Sequence, residues 1–317
     1  MSAGMSRSST VSRRLVLAAL VVFGVAPRLE AAPATLEVIQ LRPNIHMISG
    51  AGGNIVVQSG EDGVVVVNTG DGSMTDAVLA EIGKISAGPI RYVINTNGDP
   101  DEFGGNVEIA KAGAPFSAVG AATDGAAIVS HETAALRMSD LDPAGLPTET
   151  FFSRIKTLFL NGEGIEILHR PNAYSDGDVT VFFRRSDVIV AGELIDANRF
   201  PVIDIEHGGS VQGLLAALNA LIWEAIPQTP LAWRPGGTYV VPARGRVYER
   251  DDVVQYRDMV TVIRDRIQDL ITARRSKAQV VSANPAKGYV NWYGADKAWN
   301  ADAFVQAIYI SLTEKKQ

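Results

Sequence analysis

Strand-like and helix-like hydrophobic runs alternate along this chain, and that order predicts an α/β fold. Leu36 to Ser49 and Gly53 to Ser59 read as strands. So does Gly63 to Asn68, whose four consecutive valines, Val64 to Val67, suit a sheet buried on both faces. Asp76 to Ile85 reads as a helix and Ile90 to Asn95 as a strand. A second set follows, with a helix at Asn106 to Lys111, a strand at Phe116 to Val119 and a helix at Ala122 to Met138. Leu141 to Thr150, with Pro143 and Pro147, reads as a linker loop. Strands are expected near Lys156 to Leu160, Gly164 to His169, Val179 to Arg184 and Asp187 to Ala191, then a helix at Val211 to Trp223. The last third offers a strand at Thr238 to Val241, a long amphipathic helix at Arg250 to Arg274 and a closing helix at Ala301 to Leu312. The Leu141 to Thr150 loop is too short to separate independent domains, so residues 35–317 read as one.

The amino terminus breaks this alternation. Arg7, Arg13 and Arg14 precede an apolar run from Leu15 to Val25, and small residues follow at Ala31, Ala32 and Ala34. That is the layout of a secretory signal peptide over residues 1–31. Its apolar run falls short of the roughly 20 residues that a spanning helix needs. The Arg13-Arg14 pair also resembles a twin-arginine signal, which exports folded proteins. The expected location is periplasmic or secreted, with no membrane association after cleavage.

At 317 residues with 46% hydrophobic content, the chain has enough apolar sequence for a large core. Removing residues 1–31 takes away Arg7, Arg13, Arg14 and Arg28 but only one acid, Glu30, so the net charge moves from −6 to −9. An acidic mature protein argues against nucleic acid or anionic lipid as partner. The chain has no cysteine, which excludes a disulfide framework, lipoprotein attachment and thiolate-held zinc.

Candidate chemistry concentrates in Ile94 to Asn106, INTNGDPDEFGGN. From Thr96 onward this resembles, without a gap, the Thr-His-x-His-x-Asp-His-x-Gly-Gly-Asn loop of metallo-β-lactamase-fold hydrolases. Asn97, Asp99 and Glu102 stand in the histidine places and Asp101 on the aspartate. Three further stretches resemble that family in the right order. Tyr174-Ser175-Asp176-Gly177-Asp178 is similar to its His-Thr-x-Gly-Asp turn, with Tyr174 for histidine. Ala191-Gly192-Glu193 is similar to its Gly-Asp, with Glu193 for the bridging aspartate. Val241-Pro242-Ala243-Arg244-Gly245 is similar to its Pro-Gly-His-Gly, with Arg244 for the last histidine. Asn68-Thr69-Gly70 likewise resembles its Asp-Thr-Gly. The resemblance spans roughly residues 36–275 and implies a four-layer αββα sandwich.

In that family histidines and carboxylates hold two zinc ions that acidify a bound water. Here the seven corresponding places read Asn97, Asp99, Asp101, Glu102, Tyr174, Glu193 and Arg244. Zinc prefers nitrogen and sulfur donors, so the resemblance implies a degenerate site rather than a two-zinc hydrolase. If the positions converge, four acids meet one arginine, and the surplus negative charge needs compensation. A hard cation (Mg, Ca or Mn) on Asp99, Asp101, Glu102 and Glu193 is one solution, with Asp101 orienting a catalytic water. Proton uptake with an internal Arg244 ion pair to Asp101, Glu102 or Glu193 is a second, and gives a binding or scaffold module. A cationic small molecule on the acidic floor is a third.

Four histidines remain. His46 reads as structural, His131 falls in the expected Ala122 to Met138 helix, and His169 lies at a strand end facing the cleft. His207, in the loop after Glu193, is the candidate base. Gly104-Gly105 reads as a tight backbone turn, and Trp223, Trp233, Trp292 and Trp299 as core aromatics.

Overall fold

The computed structural model describes Met1 and residues 35–116, 124–139, 142–228 and 236–314. The chain divides into two units, Met1–Pro33 and Ala34–Gln317, and of the first only Met1 is described. The proposed signal segment therefore lies outside the described residues, as do most of the expected Phe116 to Val119 strand, Leu141 and Trp233.

The second unit opens with β1 (Glu37–Arg42), β2 (Ile45–Ala51), β3 (Gly53–Gly60) and β4 (Gly63–Val67). Next come α1 (Thr75–Ile85), β5 (Ile90–Ile94), α2 (Pro100–Phe103) and α3 (Asn106–Lys111). β6 (Ala127–His131) runs directly into α4 (Glu132–Arg137), and β7 (Glu149–Phe151) completes a seven-stranded sheet in the order β1-β2-β3-β4-β5-β6-β7. Its first four strands pair antiparallel and its last four parallel. β8 (Ile155–Leu160), β9 (Glu163–His169), β10 (Val179–Phe183) and β11 (Val188–Asp196) follow, then α5 (Val211–Glu224) and β12 (Tyr239–Arg244). They form a five-stranded sheet in the order β12-β11-β10-β9-β8, with only the β11–β12 pair parallel. The chain closes through α6 (Arg250–Thr272), α7 (Lys277–Ser282), α8 (Val290–Tyr293) and α9 (Ala301–Thr313).

Side-chain alternation explains the layering. In β4, Val65 and Val67 face the second sheet beside Val181, Phe183 and Val190. Val64 and Val66 face the helix side with Val78 and Ile82 of α1 and Ile109 of α3. All four valines are fully buried, each stabilising the fold by about 1.5–3 kcal/mol relative to exposure. The outer face of the second sheet is covered by α5, α6, α7 and α9 through a third core that includes Tyr256 and Phe304. The result is the expected αββα sandwich.

Several local expectations are corrected. Leu36 to Ser49 is two strands, because Pro43-Asn44 turns the chain between β1 and β2. The helix expected over Ala122 to Met138 is a strand, β6, followed by the short α4. Ile128 and Val129 are buried in a parallel strand between β5 and β7, and tertiary packing outweighs the helix-favouring alanines around them. His131 consequently caps α4 from its amino end, accepting from the Thr133 backbone N–H, rather than lying within a helix. The stretch expected to be a loop around residue 149 supplies β7. Trp223 and Trp292 are exposed rather than core.

Candidate functional site

The strand ends that carry the four sequence stretches are tied together by hydrogen bonds. β5 runs into the loop of Thr96 and Asn97, and the Thr96 carbonyl accepts from Val179 N at 2.7 Å, joining that loop to the start of β10. Asn95 and Asn106 exchange amide hydrogen bonds at 2.9 and 3.0 Å. Gly104 and Gly105 pass so close to Asp71 and Thr69 that an added Cβ would lie 2.4 Å and 2.7 Å from backbone atoms there, which explains the glycine pair. Gly192 has φ 55° and sits where β11 slips register against β12. A Cβ there would meet Thr96 Oγ1 at 2.7 Å, so the bulge that precedes Glu193 requires glycine.

Asp99 caps the amino end of α2, its Oδ1 accepting from Asp101 N at 3.1 Å. Asn97 Oδ1 accepts from Asp99 N at 2.9 Å. The Tyr174 hydroxyl donates to Asp99 Oδ2 at 2.5 Å. Burial, followed by the charge and hydrogen bond of Asp99, pushes the Tyr174 phenol above its ordinary value, so it stays protonated as donor. The tyrosine in a histidine place therefore holds a carboxylate.

Arg244, at the end of β12, is the hub. Its Nη2 lies 2.5 Å from Asp101 Oδ2 and its Nη1 2.6 Å from Glu193 Oε1. Nη1 also lies 3.4 Å from Asp196 Oδ2, and Nε donates to the Gly52 carbonyl at 3.1 Å. Burial works against its charge, but Glu193, Glu102 and Asp196 together hold its pKa above the ordinary guanidinium value. A second arginine extends the network, with Arg199 Nε 2.9 Å from Asp196 Oδ2 and Nη1 3.2 Å from Asp296 Oδ2. Asp196 and Arg199 were not among the residues expected from the sequence, where an acid and a base three positions apart carry no specific signal.

Glu102 is fully buried, and among the described residues neither of its carboxyl oxygens has a hydrogen-bond partner. Desolvation and then the neighbouring charge of Glu193 drive its pKa well up, partly offset by Arg244, which favours the neutral form of the side chain. Glu193 is also raised by burial, with Arg244 pulling in the opposite direction. Asp178, which accepts from Ser175 N and Oγ at 2.7 and 2.8 Å, is pushed up to about 7 by burial despite those bonds.

His207 stands apart from this network. It is exposed, and its Nδ1 pairs with Asp204 Oδ2 at 2.5 Å. His131 and His169 stack with ring centroids 3.7 Å apart, joining the ends of β6 and β9 across the sandwich. Burial, and then His169, lowers His131 to about 4, and burial lowers His169 as well. His46 lies half-buried in β2 and is lowered by burial.

This donor set does not fit a two-metal centre. It contains no imidazole, and one oxygen each of Asp101 and Glu193 is already bonded to the Arg244 guanidinium. Among the described residues, no three His, Asp or Glu side chains are grouped to hold a metal ion.

Beside Arg244 a hollow of about 600 Å³ opens, bordered by Gly52, Gly53, Asn54, Asn198 and Arg246.

A metallo-β-lactamase from Pontibacter korlensis superposes with TM-score 0.55 at 18% identity, over 72% of this chain and 99% of that one. The inverting sec-alkylsulfatase Pisa1 from Pseudomonas sp. gives 0.62 at 11% identity, over 87% of this chain but only 50% of its own. The DIM-1 metallo-β-lactamase gives 0.54 at 12%, over 71% and 97%. At these identities the likeness is one of fold. No curated protein matches the chain. The family model described as the metallo-beta-lactamase superfamily matches residues 49–222, more than half the sequence, and the chain belongs to that superfamily.

Proposed function

We propose that this is an exported, periplasmic or secreted member of the superfamily that does not run two-zinc hydrolysis and acts instead as a small-ligand-binding module, a pseudoenzyme. The observation that carries this reading is the guanidinium of Arg244, bonded at 2.5 and 2.6 Å to Asp101 and Glu193. A permanent cation of the chain itself neutralises acids that would otherwise call for a metal. Protonated Glu102 removes a further negative charge, and Arg199 supplies a second positive one. The hollow beside Arg244 is of the size that small-molecule sites take, and its lining mixes Ile39 and Met47 with the polar Asn54, Asn198 and Arg246.

A competing reading keeps hydrolysis, with Mg, Ca or Mn on Asp99, Asp101, Glu102 and Glu193. The free lone pairs of Glu102 and of Glu193 Oε2 are the observation in its favour. The deciding experiment is metal content by mass spectrometry on mature protein purified without chelator. Titration with magnesium, calcium, manganese and zinc, followed by melting temperature, completes it. The binding-module reading expects a metal-free protein indifferent to all four ions. A near-stoichiometric cation with a large thermal shift overturns it, as does zinc-dependent β-lactam or thioester hydrolysis that is lost in Asp101→Ala.

A further inference from the structure

Among the described residues, β8 is the outermost strand of the five-stranded sheet, paired on one side only, with β9. Its bonding direction follows from one contact. The Arg154 carbonyl accepts from His169 N at 3.0 Å, in register with the Ile155–Leu168 pairing. Antiparallel ladders alternate, so Lys156, Leu158 and Leu160 bond to β9, and Ile155, Thr157 and Phe159 turn their N–H and C=O groups away from the sheet. The Ser153 hydroxyl donating to the Ile155 carbonyl at 2.7 Å agrees with this, and that oxygen keeps a second lone pair.

The same three residues carry the exposed side chains of the strand, with Phe159 74% and Ile155 45% accessible. Phe152, just before β8, is 84% accessible. Edge strands are usually protected by outward charges, prolines or bulges. β8 has no proline, its pairing with β9 shows no register shift, and its one charge, Lys156, is tied to Glu149 of β7 at 3.1 Å.

We propose that β8 pairs with β8 of a second copy of this chain about a two-fold axis through Thr157, joining two five-stranded sheets into one. The strand is self-complementary in that register. Thr157 faces Thr157, and Ile155 faces Phe159 of the second copy, twice. Every outward backbone group of the three residues finds a partner. Ile155 and Phe159 then form cross-strand pairs of the β-branched and aromatic kind that stabilises sheets. Lys156 falls opposite Leu158. A shift by one pairing step toward the amino end would place the two lysines face to face, which charge disfavours, and a shift the other way would set Ile155 opposite Asn161, beyond the strand, and lose both Ile155–Phe159 pairs. The symmetric arrangement closes as a dimer and leaves no β8 edge for further growth.

The absence of cysteine makes the test direct. In the centred register the two residue-157 Cα atoms lie about 5.5 Å apart, within disulfide range. Thr157→Cys in the mature chain is therefore expected to form a covalent dimer under mild oxidant, and Ser153→Cys is not. Light scattering on the unmodified protein at about 100 μM should give twice the monomer mass, concentrations at which a modest interface is occupied. Phe159→Lys should raise the dimer dissociation constant roughly tenfold or more. Thr157→Pro, which deletes an outward N–H that β9 does not use, should give a folded monomer with unchanged circular dichroism. A wild-type protein that is monomeric throughout, or a dimer that survives both Phe159→Lys and Thr157→Pro and does not cross-link at Thr157→Cys, overturns the proposal.

Discussion

Glu102→Gln should make this protein more stable at neutral pH, and the gain should fade in acid. Glu102 is fully buried, its carboxyl has no hydrogen-bond partner among the described residues, and that burial favours its neutral form. In the unfolded chain the same carboxyl ionises around its ordinary value of 4.5. A raised carboxyl stabilises the fold only while it holds its proton; that contribution is full below the ordinary value and is lost as the pH rises toward the folded value. Holding the proton costs about 1.4 kcal/mol for each pH unit above the ordinary value. The penalty therefore grows with pH at that rate and stops growing once the pH passes the folded value. Glutamine carries no such proton. Its amide leaves unpaired donors in the same dry place, at about 1–3 kcal/mol, but that cost does not vary with pH. The informative quantity is thus the variant-minus-wild-type difference from urea unfolding at two pH values. It should move in favour of the variant on going from pH 5.0 to 7.5, by more than the roughly 1.4 kcal/mol that one pH unit of proton retention yields. Other titrating groups, Asp178 and His131 among them, are common to both proteins and largely cancel. A difference that stays constant within about 1 kcal/mol would refute the reasoning, because it would mean that Glu102 is ionised and paired in the fold.

Arg244→Ala should destabilise the protein by about 3–5 kcal/mol, because it leaves Glu193 buried and without its main cation. The variant should also gain a thermal shift with magnesium or manganese; urea denaturation with less than about 1 kcal/mol of loss and no new metal response would show that Arg244 is not the neutralising group. His131, lowered to about 4, is neutral in the fold. The stability it contributes is present above its ordinary value of 6.5 and is lost as the pH falls toward 4. Its ring resonance in a proton–carbon NMR titration should show a midpoint near 4, and a midpoint at or above 6.5 would contradict the stacked, dry environment.

The sequence disclosed the sandwich because its strands carry their own evidence. The Val64 to Val67 run can be satisfied only between two covered faces, and the polar stretches after β5 and before β10, with Glu193 late in β11 and Arg244 at the end of β12, mark one working edge. β6 was hidden because Ala126, Ala127, Ala134 and Ala135 favour a helix locally, and only neighbouring strands distant in sequence make Ile128 and Val129 extended. At the site, the partners foreseen for Arg244 included Asp101 and Glu193. Asp196 and Arg199 were not foreseen, because a charged pair past a strand end resembles any solvated loop until β12 is laid alongside β11. The donation from Tyr174 to Asp99 crosses 75 positions of sequence, and no local spacing encodes it.

The Arg244 contacts also change what the protein's stability depends on. A fold whose halves are drawn together by a bound ion is governed by mass action: its stability grows with the free ion concentration and collapses in a chelator. Here the carboxylate after β5 and those of β11 are drawn to a side chain that travels with the polypeptide, present once per molecule at every concentration. Such a clasp cannot be diluted away, stripped by a competing ligand or starved in a metal-poor surrounding. It exchanges a dependence on supply for a dependence on ionic strength, which only weakly reaches a partly buried pair.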